Sequence, residues 1–155
     1  GTVPMGGVIV RKHVYEAFMQ GPEHAVELFH GYTYSAHPLA CAAALATLDI
    51  YEKEHLFENA RKLETQWGEA VHSLKGLPNV EDIRSIGIVG AIDLAPKSDG
   101  PGKRGLDAMN EAFHRQDMLV RVAGDTIALS PPLMLNENHI AEIIDKVGKT
   151  IKAIA

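Results

Sequence analysis

The sequence predicts an α/β fold whose second half is a smaller α+β arrangement, and three observations carry that prediction. A short β-branched run, Val8-Ile9-Val10, follows Gly6-Gly7 and leads into helically spaced residues. An alanine-rich, nearly uncharged stretch over residues 38–51 reads as a helix that needs cover almost all round. Beyond Pro78 the pattern becomes strand, helix, strand, strand, helix. The composition changes beyond residues 76–78.

Residues 8–10 are expected to form a buried strand, after which residues 11–20 space Val14 and Phe18 on one helix face until Gly21-Pro22. Residues 23–37 hold no sustained period and end in the loop-like His30-Gly31-Tyr32-Thr33-Tyr34-Ser35-Ala36-His37. Pro38 suits a first helical turn, where its missing N–H is no loss, and Ala and Leu dominate from there to Tyr51. The next helix sets Ala60, Leu63, Trp67, Val71 and Leu74 at helical spacing, and Gly76 and Pro78 close it. Residues 80–94 alternate loosely around Gly87 and Gly90 as a strand, and residues 97–105 read as a Gly, Pro and Lys loop. Residues 106–115 are expected to be a helix with Leu106, Met109 and Phe113 inward. Residues 118–122 and 126–130 flank Gly124-Asp125, a hairpin turn with Gly first, and Pro131-Pro132 ends the second strand. In the last helix Asn136 is the N-cap, and Leu135 and Ile140 stand where a hydrophobic staple would. Its apolar stripe is Ile140, Ile143, Ile144, Val147, Ile151 and Ile154.

Of 155 residues 46% are apolar and 23% charged. A globular chain of this length buries roughly 70% of the surface its unfolded form exposes. Lys and Arg number 15 against 20 Asp and Glu, so the charge balance offers no footprint for nucleic acid or an anionic membrane. The longest apolar run, residues 38–48, falls far short of the roughly 20 residues of a membrane span. Cys41 is the single cysteine, which excludes a disulfide framework and suits a reducing, cytoplasmic compartment. Gly1-Thr2-Val3-Pro4 has neither an initiator Met nor the regions of a signal peptide, and a longer natural chain is expected.

Arg121 is the first candidate for chemistry. Val120 and Val122 share one face of their strand and Arg121 takes the other, where a guanidinium must find a carboxylate, phosphate or water. An exposed edge strand or a structural ion pair meets that need, and so does a bidentate clamp on a substrate carboxylate, which suits the planar fork of Arg. Thr33 lies among Gly31, Tyr32, Tyr34 and Ser35 just ahead of the Pro38 helix. Such hydroxyls and N–H groups either cap a loop or hold a phosphate. No metal site is expected, because His30 and His37 have no carboxylate or Cys at ligand spacing and the other histidines are scattered. Cys41 has no neighbouring cation and reads as a small apolar residue rather than a nucleophile. The glycines form neither a Walker motif nor a dinucleotide fingerprint.

The segment Thr2-Val3-Pro4-Met5-Gly6-Gly7-Val8-Ile9-Val10, followed by His30-Gly31-Tyr32-Thr33-Tyr34-Ser35-Ala36-His37-Pro38-Leu39-Ala40-Cys41-Ala42-Ala43, resembles the class III aminotransferases, which depend on pyridoxal 5'-phosphate. Val120-Arg121, Gly124-Asp125-Thr126 and Leu129-Ser130-Pro131-Pro132 are similar to the omega-amino acid:pyruvate (beta-alanine:pyruvate) branch of that class. The resemblance covers essentially the whole chain. It implies a fold-type I transferase, with residues 1–76 as the end of the large cofactor-binding domain and the interdomain helix, and residues 77–155 as the C-terminal small domain. It further implies that Thr33 and the Tyr32 backbone hold the cofactor phosphate across a subunit interface, in a homodimer or homotetramer. Arg121 would bind the carboxylate of the oxoacid acceptor. The implied reaction carries an amino group from an omega-amino acid or amine to pyruvate. The family's Schiff-base lysine would fall upstream of Gly1, so these 155 residues alone are expected to hold no catalytic residue and to be inactive. Alternatives stay open: another class III enzyme, of the ornithine or 4-aminobutyrate type, a racemase or mutase sharing the fold, and a non-catalytic ferredoxin-like module formed by residues 79–155.

Overall fold

The computed structural model describes residues 3–25 and 31–155, and its contacts divide the chain into two compact units, Gly1–Glu54 and His55–Ala155. The first unit holds helices α1 (Lys12–Phe18) and α2 (Pro38–Lys53). In α2, Pro38 occupies the first turn as its fixed φ favours, and Lys53 closes the helix beside Asp49 at 2.9 Å. Leu39, Leu45 and Leu48 are exposed, so the cover that the composition of this helix calls for is not supplied within the unit. Residues 8–10 do not form the expected strand. Val8 and Ile9 lie open to solvent, and no strand among the described residues of this unit takes their backbone hydrogen bonds. Among the described residues no helix is long and apolar enough to cross a membrane.

The second unit is a four-stranded antiparallel sheet with three helices: α3 (Leu56–His72), β1 (Val80–Ile86), β2 (Val89–Leu94), α4 (Lys103–Arg115), β3 (Arg121–Ala123), β4 (Thr126–Leu129) and α5 (Glu137–Ala153). The strand order is β1-β2-β4-β3. Residues 80–94, expected as one strand, are a hairpin, because Gly87 adopts φ +55° and turns the chain between paired Ile86 and Val89. This extra strand also replaces the ferredoxin-like alternative, since helix α3 precedes the sheet and packs on β1. The division after Glu54, rather than at residues 76–77, has the same origin: α3 buries Leu63, Trp67 and Val71 with Ile92, Ile127 and Ile151.

Period-2 alternation along the sheet produces two faces. Ile83, Ile92, Ile127 and Val122 are cross-strand neighbours in one row and enter the core. Arg84, Ala91, Ala128 and Arg121 form the adjacent row on the opposite face. Gly90 lets α3 close on β2, for a Cβ there would sit 3.3 Å from both Val71 methyl groups. The last helix follows its signals: Asn136 accepts from the His139 N–H at 3.0 Å, His139 Nδ1 accepts from the Asn136 N–H, and Leu135 and Ile140 are buried.

Helix α4 corrects the sequence reading twice. It begins at Lys103, inside the expected loop, and it buries Gly105, Ala108 and Ala112 while leaving Leu106 and Phe113 exposed. The reason is proximity to the β3–β4 turn. A Cβ on Gly105 would overlap the Gly124 carbonyl oxygen and lie 3.1 Å from its carbon, so only the small-residue face fits. At that contact the Asp125 carboxylate accepts from the N–H groups of Gly102 at 2.6 Å and Gly105 at 3.0 Å, capping α4 from a different element.

Gly105→Ala is expected to lower the stability of the chain by about 3 kcal/mol in urea unfolding, because backbone must move. Gly68→Ala serves as the contrast. Its Cβ would meet only Ser85 Oγ at 3.4 Å, and the change is expected to be neutral or to stabilise by up to about 1 kcal/mol.

Two carboxyls make the unit acid-sensitive. Arg84 and then Thr126 hydrogen-bond Asp93, and the N–H of Gly102 hydrogen-bonds Asp125, so both titrate below the ordinary carboxylate range. The unfolded chain therefore takes up these protons first as pH falls. Their contribution is complete above the ordinary range and is lost as pH falls through the lowered values. Asp125→Asn is expected to flatten the decline of the urea midpoint below about pH 4, and an unchanged slope would contradict the capping role.

Candidate functional site

In the first unit, segment 3–6, loop 31–37 and the start of α2 line an open groove of about 830 Å³. The loop turns tightly: Ser35 N–H donates to the Tyr32 carbonyl at 2.9 Å, His37 N–H to the Tyr34 carbonyl at 3.3 Å, and Ala36 adopts φ +57°. Thr33 lines the groove with Tyr34 and Ser35, and its hydroxyl has no hydrogen-bond partner among the described residues. Tyr32 is not part of the lining; its carbonyl is spent on the turn. Gly31 borders the groove, while His30 lies outside the described residues.

The helix behind this loop adds donors that the sequence reading passed over. His37 provides no side-chain cap, Pro38 has no N–H, and the N–H groups of Leu39 and Ala40 in the first turn lack intrahelical acceptors. Ala40 and Cys41 border the groove. Hydroxyls, free N–H groups and the positive end of a 16-residue helix form a donor set that suits a phosphate. No lysine is among the lining residues. Lys12 pairs with Glu16 at 3.5 Å and Lys53 with Asp49.

In the second unit, Arg121 begins β3, the edge strand next to β4. Val120 is buried and Val122 packs on the core, which turns Arg121 to the opposite face, as the alternation predicts. Its side chain is exposed and makes no ion pair or side-chain hydrogen bond among the described residues. Of the two alternatives to a clamp, the edge strand is present, and no structural ion pair of Arg121 occurs among the described residues. At the other end of the same cross-strand row, Arg84 grips Asp93 and reaches Asp82 at 3.2 Å. Period alone places Arg84 on that face, but the grip depends on the β1–β2 hairpin, which the sequence reading did not resolve.

Among the described residues no cluster of His, Cys, Asp or Glu could hold a metal ion. Cys41 is a free, half-buried thiol.

Comparison with known proteins places this geometry. A family model described as aminotransferase class-III matches residues 1–151. An omega-aminotransferase of Caulobacter vibrioides is 44% identical over 97% of this chain and 34% of its own length. A beta-alanine–pyruvate aminotransferase of Pseudomonas aeruginosa is 41% identical over 100% of this chain and 35% of its own. The chain thus spans about a third of the length of these relatives. Among solved structures, the omega transaminase of Pseudomonas jessenii in complex with PMP is similar with a TM-score of 0.74 and 30% identity, over 82% of this chain and 29% of that one. A thermostable mutant from the same organism gives 0.75 and 29%, over 83% and 30%. The match runs through both units and carries the fold-type I transaminase architecture with it. The chain belongs to the class III aminotransferase family.

Proposed function

We propose that these residues serve a pyridoxal-phosphate-dependent transaminase that moves an amino group from an omega-amino acid or amine to pyruvate. The observation that carries the proposal is Arg121: an exposed guanidinium on an edge strand, uncommitted among the described residues, in a chain whose relatives bear omega-amino acid and beta-alanine:pyruvate names. Its fork matches the carboxylate of an oxoacid acceptor, with two parallel N–H donors.

The groove of the first unit fits the phosphate end of the cofactor. Thr33 and Ser35 offer hydroxyls, and Ala40 offers an N–H group at the helix terminus. The Tyr32 backbone, engaged in the turn, holds Thr33 in place rather than facing the groove. Bound there, pyridoxal phosphate supplies the electron sink that stabilises negative charge at the substrate carbon. The amine that carries the proton is absent from the groove lining, and Lys12 and Lys53 are exposed and paired with carboxylates. These 155 residues alone are therefore inactive in this reading, and the lysine comes from elsewhere in the protein.

The domain roles follow the family: the first part belongs to the cofactor domain, and the second to the small domain that presents Arg121. Exposed Leu39, Leu45 and Leu48 on α2 support burial against further protein, and a homodimer or homotetramer that shares the cofactor site across subunits provides it. A single cysteine and no span-length apolar helix among the described residues accord with a cytoplasmic enzyme.

Arg121→Ala in the holoenzyme is expected to raise the KM for pyruvate by about 30-fold or more, the loss of a charge-assisted pair, with little change for an amine donor that lacks a carboxylate. Steady-state kinetics with alanine formation as the readout decides it. Equal losses on both substrates would contradict the assignment.

A further inference from the structure

Arg84 and Arg121 close the two ends of one cross-strand row: Arg84 pairs with Ala91, Ala91 with Ala128, and Ala128 with Arg121. Two half-buried alanines occupy the sheet face between the guanidiniums. The charges at its ends have different fates. Arg84 grips the Asp93 carboxylate with both terminal nitrogens, Nη2 to Oδ1 at 3.0 Å and Nη1 to Oδ2, and Thr126 Oγ1 donates to Asp93 Oδ1 at 2.7 Å. Arg121 grips nothing among the described residues.

Asp93 lies on the same face as Arg121, one row along and two strands across, since it pairs with Thr126, which pairs with Ala123. Two strand spacings of about 4.8 Å and one row step of about 7 Å put it within the combined reach of an Asp and an Arg side chain. The carboxylate of the β3–β4 turn, Asp125, is tied to the N–H groups of α4. Each acid that could neutralise Arg121 from within the β2–β4–β3 sheet is therefore held by another group.

We propose that Arg84, assisted by Thr126, is a positioning residue for carboxylate recognition: it keeps Asp93 occupied, so that Arg121 stays free for a substrate carboxylate. The inference rests on the reading of Arg121 given above. A released Asp93 would act as a tethered competitor, because an intramolecular carboxylate presents itself at millimolar or higher effective concentration.

The test uses the holoenzyme. Arg84→Gln is expected to raise the KM for pyruvate about tenfold, with kcat and the KM of a carboxylate-free amine unchanged. Adding Asp93→Asn removes the competitor and returns the KM to the starting value although the ion pair is not restored, and Arg84→Lys leaves it near that value. Thr126→Val loosens the same carboxylate and gives a smaller rise in the same direction, which keeps the test open if Arg84→Gln does not fold. Without turnover, carbon NMR titration of Arg84→Gln finds the Asp93 carboxyl still below its ordinary range, and the further change Arg121→Gln lifts it. A merely structural ion pair would leave the double variant as impaired as the single one. Arg121→Ala separates the failures. If it weakens pyruvate no more than the amine, the reading of Arg121 falls. If it is selective while Arg84→Gln leaves pyruvate unchanged, or Asp93→Asn gives no recovery, the positioning role is overturned.

Discussion

The close contact between the β3–β4 turn and the start of α4 governs the second unit. Asp125 satisfies two N–H groups at the N-terminus of α4, and Gly105 lets the helix backbone lie against the Gly124 carbonyl. This contact fixes which face of α4 is buried and holds the edge hairpin that carries Arg121. Neither half works without the other: the carboxylate sets the helix start, and the missing side chain allows the approach. On the far side Arg104 continues the tie, donating to the carbonyls of Ala95 and Ile154, each at 2.7 Å.

From that contact the arrangement of charge follows. The sheet buries one apolar row and turns the next one outward, with an arginine at each end. One arginine is neutralised within the sheet and the other is not. A guanidinium left exposed on an edge strand contributes little to stability, since surface pairs are typically worth under about 1 kcal/mol. In the proposed reading its value lies in recognition, where a carboxylate arriving from outside completes the fork.

How much the sequence revealed depends on how local each signal is. Helix α5, its Asn136 cap and its staple were legible because cap, staple and stripe sit within a few turns of each other. The core face of α3 and the Gly124-Asp125 turn were legible for the same reason. The wrong face of α4 shows the limit: Leu106, Met109 and Phe113 make the more apolar stripe, but a backbone contact 20 residues away, at Asp125, requires Gly105, Ala108 and Ala112 instead. The 80–94 hairpin was hidden because both halves are strand-like and a single Gly87 separates them. In the first unit, apolar pattern suggested a strand at 8–10, and no strand among the described residues of this unit pairs with it.

The candidate site divides in the same way. Arg121 and Thr33 could be named from local pattern, and motif resemblance gave them opposite ends of one chemistry. The Leu39 and Ala40 N–H groups and the Arg84–Asp93–Thr126 cluster could not, because they arise from helix geometry and sheet register. The central claim is that this chain provides phosphate and carboxylate anchors while the cofactor's lysine lies elsewhere. The most direct measurement is borohydride reduction of the purified gene product with pyridoxal phosphate, followed by peptide mass mapping of the covalently fixed cofactor. The account predicts one modified lysine, outside these 155 residues. Modification of Lys12, Lys53 or any other lysine of this chain, or none at all, would contradict it.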